Sequence, residues 1–190
     1  MPGGKLKGIL GITGTPGTGK KSVAPLAAEL LGVVPFSIDE LALALGSAEA
    51  DGDGYQVDTA RLRRKIRSVV PRPSALYGHL LPSVLDPTLA ERVVVLRCEP
   101  RVLGGRLRAR GYPGEKVRAN LEAELIGLVA SEARGAFGAR TREVDTTSTT
   151  PEEAAATVVA VARGRAGGSR IDWTRNYDSA PKLRSLLPTE

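Results

Sequence analysis

The sequence predicts an α/β fold with a mostly parallel sheet that helices cover on both faces. Three observations lead to this prediction. Strand-like and helix-like patterns alternate along the chain, the run Val-Val-Val-Leu at 93–96 is typical of a buried strand, and a glycine-rich loop at 14–19 joins a short apolar stretch to a helical pattern. The 190 residues, of which 42% are hydrophobic, suit one domain of this class.

Five strands are predicted from apolar stretches of strand length. They are expected in chain order at 8–13, at 33–38, at 74–78, at 92–98 and in a segment that ends at 143–145. In sheets of this class, ligands bind beyond the carboxyl ends of the strands. We therefore expect the glycine-rich loop, which follows the first strand, to lie at the ligand-binding edge.

The helices are predicted from their apolar faces and from the residues that begin and end them. They are expected in chain order at 20–31, from 37 or 39 to 45, at 58–70, at 100–110, at 115–136 and at 150–163. The caps are Ser37 or Asp39, Asp58, and Thr150 in a capping box with Glu153. The remaining segments are a loop or small flap at 46–56, a flexible linker at 164–168, and a tail at 169–190 that is either docked or disordered.

The glycine-rich loop has the composition of a nucleotide phosphate-binding loop. Gly17 and Gly19 allow backbone N–H groups to surround phosphate oxygens, and the helix that follows directs its positive end at the same anion. Lys20 adds a full charge near the β- and γ-phosphates. The position that usually carries a hydroxyl for Mg²⁺ is Lys21, and the hydroxyl comes at Ser22, so Lys21 either crowds the metal or reaches outward.

Positive and negative charges are segregated along the chain, whose net charge is +6 and whose isoelectric point is near 9.8. All charged residues between 22 and 60 are acidic: Glu29, Asp39, Glu40, Glu49, Asp51, Asp53 and Asp58. The segment 61–72 is basic throughout: Arg61, Arg63, Arg64, Lys65, Arg67 and Arg72. This basic run is either a solvated helix face or a contact for RNA or the ribosome.

Cysteine content and hydropathy favour a cytoplasmic location. The single cysteine, Cys98, forms no internal disulfide, which suits a reducing compartment. The longest apolar run, at 154–162, is too short to span a membrane, and the apolar stretch near the N-terminus is only strand-length. We expect no membrane association.

A second motif is more particular than the loop. Arg106 and the run Arg110-Gly111-Tyr112 precede Lys116, Asn120 and Glu124, and the spacing of four from Tyr112 onward puts the last four near one helical face. Together with the glycine-rich loop and Gly78-His79, this motif resembles the adenylate kinase isoenzyme 6 family over residues 7–163. The segments 121–145 and 171–173 look like those of archaeal members.

The resemblance implies a three-layer P-loop kinase fold, with a five-stranded parallel sheet, a small flap that binds a nucleoside monophosphate (NMP), and a lid. The kinase domain would span 1–165, with the flap at 37–57 and the lid at 109–119, and the tail would span 166–190. ATP would be bound by Gly17, Gly19, Lys20, Lys21, Ser22, Arg110 and Thr150, the last together with Thr149 near the adenine. The catalytic residues implied are Lys20, Arg110 and His79, with Ser22 at Mg²⁺.

The function implied is transfer of phosphate from ATP to AMP, giving two ADP, with ATPase activity and a role in small-ribosomal-subunit maturation. The partner would be a basic ribosomal protein, with pre-rRNA as the alternative, and rRNA processing would be affected. Two other hypotheses stay open: that the protein is a nucleotide-dependent ribosome assembly factor with little kinase turnover, or that it is another P-loop small-molecule kinase. The third strand lacks the acid that family members carry there to hold Mg²⁺, so Asp39, Glu40 or Asp58 would have to substitute.

Overall fold

The computed structural model describes residues 5–51 and 54–187. The strands are β1 (Ile9–Thr13), β2 (Val34–Ser37), β3 (Ala48–Asp51), β4 (Gly54–Val57), β5 (Ser74–Tyr77), β6 (Ala90–Arg97) and β7 (Thr141–Asp145). The helices are α1 (Lys20–Leu31), α2 (Ile38–Ala44), α3 (Thr59–Val69), α4 (Leu81–Val84), α5 (Pro100–Ala109), α6 (Gly114–Leu125), α7 (Leu128–Phe137), α8 (Pro151–Ala162) and α9 (Ala180–Leu186).

Five of the strands form one parallel sheet in the order β2-β5-β1-β6-β7, which confirms the predicted fold class. β1 lies at the centre, between β5 and β6. All five strands are parallel, so the loops that leave their carboxyl ends meet at one edge of the sheet. The glycine-rich loop leaves the central strand and therefore lies in the middle of that edge.

Alternate residues of the sheet enter two separate cores. Leu10 and Ile12 of β1 pack with α1 and α8 on one face, whereas Ile9 packs with α2, α3, α4 and α7 on the other. This period of two follows from the pleat of a strand whose two faces are both covered. Within residues 5–51 and 54–187, no helix is both long and apolar enough to cross a bilayer.

The local signals at helix starts are largely confirmed. Ser37, rather than Asp39, caps α2 by accepting a hydrogen bond from the backbone N–H of Glu40. Asp58 caps α3 through the backbone N–H of Arg61 at 2.8 Å. Thr150 and Glu153 form the predicted capping box at the start of α8.

The single helix predicted at 115–136 is wrong, because the structure has two helices there, α6 and α7. Gly127 separates them with φ 67°, a left-handed conformation that ends one helix and begins the next. The guanidinium of Arg97 lies against this break, and its Nη2 donates a hydrogen bond to the carbonyl oxygen of Glu124 at 2.8 Å. The break therefore gives a buried arginine a carbonyl that a continuous helix would have used internally.

The segment predicted as a loop or flap contains an antiparallel hairpin. β3 and β4 pair with Ala48 opposite Val57 and Ala50 opposite Tyr55. Glu49 and Asp51 are exposed on this hairpin, whereas Asp53 lies outside the described residues. The hairpin is not part of the central sheet.

The C-terminal segment packs against α5 and α6. A short 3₁₀ turn (Trp173–Tyr177) precedes α9, and Trp173, Tyr177 and Leu186 are buried in a third core with apolar residues of those two helices. Of the two alternatives for the tail, docked or disordered, the described residues up to 187 adopt the first.

Substituting Gly127 tests the role of the helix break. Gly127→Ala should destabilise the protein more than Gly32→Ala, although both glycines have nearly the same left-handed dihedrals. Each substitution costs about 1–2 kcal/mol for the backbone conformation alone. A Cβ at 127 would also lie 3.3 Å from Nη1 of Arg97, whereas a Cβ at 32 meets nothing within 4 Å.

The measurement is the free energy of unfolding in urea for both variants and the wild type. We expect the Gly127 variant to lose about 1–3 kcal/mol more than the Gly32 variant, as for other overpacked sites. Equal losses would contradict the close approach of Arg97 to the helix break.

Candidate active site

The carboxyl ends of the sheet strands bring the predicted site residues together. Lys20 follows β1, Asp39 lies in α2 directly after β2, and His79 follows β5. Together with Arg110 they surround a cavity of about 200 Å³ at the glycine-rich loop. The loop at 146–150, which follows β7, borders an adjoining cavity of about 260 Å³.

The loop geometry requires glycine at two of its positions. Gly14 and Gly17 have φ values of 144° and 92°. A Cβ at Gly14 would lie 2.3 Å from the carbonyl oxygen of Leu96, and a Cβ at Gly17 would lie 2.7 Å from Cδ1 of Leu103. The backbone of the loop thus lies so close to β6 and α5 that a side chain at either position would clash. α1 begins directly after Gly19 without a side-chain cap, which leaves backbone N–H groups for an anion.

Lys20 is held by carbonyl oxygens of its own loop. Its Nζ donates hydrogen bonds to the carbonyl oxygens of Gly14 at 2.6 Å and Thr15 at 2.9 Å. Burial lowers the pKa of Lys20 from 10.5 to about 8, and the negative charges of Asp39 and Glu124 oppose that shift. An anion with several charges at this position would favour the protonated form again.

Asp39, Lys21 and His79 form a polar cluster at the mouth of the cavity. Nζ of Lys21 lies 3.5 Å from Oδ2 of Asp39, and the Lys21 side chain is 80% exposed, so it reaches outward rather than into the loop. Nδ1 of His79 lies 4.0 Å from Oδ1 of Asp39. Burial, and then the charge of Lys20, lower the pKa of His79, although Asp39 acts in the opposite direction.

Asp39 therefore supplies a carboxylate beside the end of β5, the third predicted strand, which carries no acid of its own. Of the three acids considered as substitutes, Asp39 is the one that borders the cavity, together with Lys20 and Ser22. Asp58 instead caps α3, and Glu40 is exposed. This finding depends on the pairing of β2 with β5, which the sequence did not reveal.

The two cavities share Gly17, Gly19, Ser22 and Arg110. Arg110 is exposed, and its side chain makes no hydrogen bond or ion pair with any described residue, so its guanidinium is available to a ligand. Arg106, by contrast, donates hydrogen bonds to the carbonyl oxygens of Thr146 at 2.7 Å and Thr147 at 3.1 Å. Arg106 therefore fixes a loop, and Arg110 faces the cavities.

The two threonines at the second cavity differ in their partners. The hydroxyl of Thr150 accepts the backbone N–H of Glu153 at 3.2 Å as part of the helix cap. The hydroxyl oxygen of Thr149 is buried without a hydrogen-bond partner among the described residues. An unpartnered buried hydroxyl beside a cavity favours a polar ligand there.

Two larger cavities, each of about 670 Å³, lie beside the tail and contain no residue of the glycine-rich loop. One borders the lid segment, including Tyr112, and the other borders Arg97 and Ile171. Size alone therefore does not identify the site. The two smaller cavities at the glycine-rich loop are the ones bordered by the uncapped start of α1 and by charged side chains.

Sequence reasoning missed the buried ionic residues behind the loop. Glu124, expected on one helical face with Lys116 and Asn120, is 1% exposed, whereas Lys116 is exposed. Glu124 forms an ion pair with Arg97, with Nε at 2.8 Å from Oε1. The signal was present in the sequence, because Arg97 directly follows the apolar run at 93–96, where a buried charge needs a partner.

Comparisons of the sequence identify relatives along the whole chain. A family model described as an AAA domain matches residues 10–127. A protein of Thermococcus onnurineus named "Putative adenylate kinase" is 37% identical over 184 residues, covering 94% of this chain and 98% of its own. A protein of Pyrococcus abyssi with the same name is 39% identical, covering 93% of this chain and 97% of its own.

Comparisons of the structure identify P-loop kinase folds. Shikimate kinase from Acinetobacter baumannii, solved with shikimate, superposes with a TM-score of 0.61 at 17% identity, covering 83% of this chain and 93% of its own. A gluconokinase from Sinorhizobium meliloti superposes with a TM-score of 0.57 at 21% identity, covering 84% and 93%. At these identities the likeness confirms the fold and nothing finer.

Replacing Lys20 should change how stability depends on pH. The pKa of this lysine is about 8 in the folded protein and 10.5 in the ordinary case, so between these values the unfolded chain holds a proton that the folded chain has lost. The free energy of unfolding of the wild type should therefore rise with pH across this window, relative to Lys20→Met. At pH values below this window, the difference in free energy of unfolding between the wild type and Lys20→Met should be constant.

Urea unfolding of the two proteins at a series of pH values measures this difference. If their free energies of unfolding run parallel from pH 8 upward, the lowered pKa of Lys20 is contradicted.

Proposed function

The chain belongs to the AAA domain family and to the same family as the archaeal proteins named "Putative adenylate kinase", and we propose that it is a nucleoside monophosphate kinase of the isoenzyme 6 type. The reaction is transfer of the γ-phosphoryl group of ATP to AMP, giving two ADP, with slower hydrolysis of ATP by water. One observation carries this proposal: Lys20, the uncapped start of α1 and the free Arg110 face one pair of adjoining cavities. Such groups bind and neutralise a polyphosphate.

ATP would bind with its phosphates in the glycine-rich loop. The backbone of Gly17 and Gly19, the Lys20 ammonium and the Lys21 and Ser22 positions at the start of α1 would surround the phosphate oxygens. The base would lie in the second cavity, beside Thr149 and Thr150, where a buried hydroxyl has no protein partner. Lys20 would exchange its two carbonyl partners for phosphate oxygens.

The residues present fit a magnesium ion. Ser22, which carries a hydroxyl, and Asp39, which carries a carboxylate, both line the cavity. Mg²⁺ prefers oxygen ligands and usually takes only one or two from the protein, with phosphates and waters as the rest. When bound, the ion would neutralise charge on the β- and γ-phosphates.

Transfer of the phosphoryl group requires positioning and charge neutralisation more than covalent chemistry. Lys20 would stabilise the transferring oxygens from the loop, and Arg110 would do so from the opposite side. His79, whose pKa is lowered, would be neutral at pH 7 and could hydrogen-bond the attacking group. Asp39 would keep that imidazole oriented.

The proposed kinase function also divides the chain into functional segments. We propose a kinase domain at 1–165, a monophosphate-binding flap at 37–57, a lid at 109–119 that carries Arg110, and a tail at 166–190. The flap range includes α2 and the exposed hairpin, and the lid range includes the turn between α5 and α6. Closing the lid over the cavities would exclude water from the reaction.

The test is production of ADP from MgATP alone and with AMP, CMP, UMP or GMP, using matched arginine variants. Arg110→Ala should lower kcat about 100-fold or more, in the range typical for one lost electrostatic donor, while raising the ATP dissociation constant much less. Arg108→Ala removes the same charge two residues earlier, at the end of α5, from a residue that lines neither cavity, and it should leave both constants near wild type.

Three outcomes would count against parts of this function. Equal losses in kcat and affinity for Arg110→Ala would make Arg110 a ground-state binder. Stimulation by none of the four monophosphates would leave an ATPase or another P-loop small-molecule kinase. A wild type that fails to bind MgATP in calorimetry would overturn the nucleotide site itself.

A second candidate function, action in small-ribosomal-subunit maturation, is supported by two exposed charged surfaces. Arg63 and Arg64 of α3 are exposed, and so are Glu49 and Asp51 of the hairpin. The acidic run is divided in the fold, because Asp39 borders the phosphate cavity and Asp58 caps a helix. We propose that the hairpin acids contact a basic ribosomal protein, which would also involve the enzyme in rRNA processing.

Charge reversal separates a protein partner from an RNA partner. Glu49→Lys with Asp51→Lys should abolish capture of a ribosomal protein from extract of the native organism, because opposite charges guide the encounter. Arg63→Glu with Arg64→Glu is the matched control and should leave capture intact. The proposal is contradicted if RNase treatment abolishes capture and the charge reversal on α3, rather than the one on the hairpin, also abolishes it. That result would indicate RNA-phosphate contacts.

A further inference from the structure

A single buried carboxylate connects the glycine-rich loop to the tail. Oε2 of Glu124 accepts the hydroxyl of Thr15 in the loop at 2.5 Å. Oε1 of Glu124 accepts Nε of Arg97 at 2.8 Å, the backbone N–H of Cys98 at 3.0 Å and the indole N–H of Trp173 in the tail at 3.2 Å. The loop and the tail, 158 positions apart at Thr15 and Trp173, thus share one side chain.

The charges around this carboxylate are fully buried and closely paired. The side chains of Arg97 and Glu124 are each 2% exposed, and that of Glu143 is 4% exposed. Nη1 of Arg97 lies 2.6 Å from Oε2 of Glu143, whose other oxygen pairs with Arg134. Because unpaired buried charges are costly, each of these groups depends on the position of the others.

The tail completes this arrangement with backbone groups as well as its tryptophan. The carbonyl oxygen of Ile171 accepts Nη1 of Arg97 at 3.1 Å, and the N–H of Ile171 donates to Oε2 of Glu143 at 3.2 Å. Undocking the tail would remove both of these bonds and the indole bond to Glu124. The tail is therefore a structural part of the charged centre behind the loop.

On the other side, Thr15 connects the carboxylate to Lys20. Its hydroxyl donates to Glu124, and its carbonyl oxygen accepts Nζ of Lys20 at 2.9 Å. The same carbonyl accepts the backbone N–H of Thr18 at 3.2 Å and the hydroxyl of Thr18 at 2.9 Å. A change in the position of Glu124 would thus move the residue that holds the phosphate-binding lysine.

We propose that Glu124 is a positioning residue through which the docked tail sets the conformation of the phosphate-binding loop. This inference rests on the proposed binding of ATP at that loop. Docking of Trp173 orients the Glu124 carboxylate, which fixes Thr15 and keeps the loop in its binding conformation. Because coupling between two sites is reciprocal, ATP at the loop would in turn stabilise the docked tail, and we expect Glu124 to transmit that change to the surroundings of Trp173.

Two conservative substitutions in the tail test the coupling. Trp173→Phe removes the indole N–H bonded to Glu124 and keeps an apolar ring, and it should raise the dissociation constant for MgATP about 5-fold or more. Tyr177→Phe removes the other aromatic hydrogen bond between tail and body, from its hydroxyl to Glu99, and should leave that constant unchanged. Calorimetry measures both, after urea unfolding has shown that each variant is folded.

The tryptophan itself gives a second measurement, because Trp173 is the only tryptophan in the chain. Saturating MgATP should shift its fluorescence emission in the wild type. Thr15→Val removes the hydroxyl that bonds Glu124 without touching the tail, and it should weaken ATP binding as Trp173→Phe does and abolish the emission shift at saturation. If Trp173→Phe fails to fold, the ATP affinity and the emission shift of Thr15→Val test the coupling without it.

The outcomes separate this inference from the proposed function. Unchanged ATP affinity in Trp173→Phe and Thr15→Val, or an emission shift that persists in Thr15→Val, overturns the coupling while ATP binding stands. A wild type that binds no ATP overturns the proposed function and this inference together.

Discussion

The ion pair between Arg97 and Glu124 is the interaction on which the surrounding structure depends. Arg97 lies at the end of β6, next to the central strand, with only 1% of its surface exposed. Its partners come from α6, from β7 and from the tail, so three separate segments converge on it. The break at Gly127 supplies a carbonyl to the same guanidinium. Burying these charges contributes little to net stability but strongly disfavours arrangements that leave any of them unpaired.

The sheet and the phosphate-binding loop could be predicted from the sequence because their signals are local. β1 and β6 each contain a continuous apolar run, at 9–12 and at 93–96, and the glycines of the loop precede a helix directly. Helix caps at Asp58 and Thr150 were predictable for the same reason, since a cap involves residues three positions apart. Even the loop lysine needs no distant information, because it bonds carbonyls five and six residues before it.

The rest of the site depends on contacts between segments far apart in the chain. Arg97 meets Glu124 and Glu143 over separations of 27 and 46 residues, which no local pattern encodes. Asp39 reaches Lys21 and His79 only because β2 pairs with β5 at the edge of the sheet. The apolar stripe at 117–129 predicted one helix because its spacing continues past Gly127, and a glycine inside a helical pattern does not by itself reveal a positive φ.

The hydrogen bonds of Lys20 to its own loop also bear on which anions the loop would hold. Two of the three N–H donors of the ammonium are already taken by carbonyl oxygens, so an anion must either displace these bonds or bind through the remaining donor. A chloride ion offers one charge and no fixed geometry. A polyphosphate chain offers several oxygens and several charges at once, which suits it to replace both carbonyl partners. The hydrogen bonding of Lys20 would therefore favour a polyphosphate over a simple anion before any part of the protein closes over the loop.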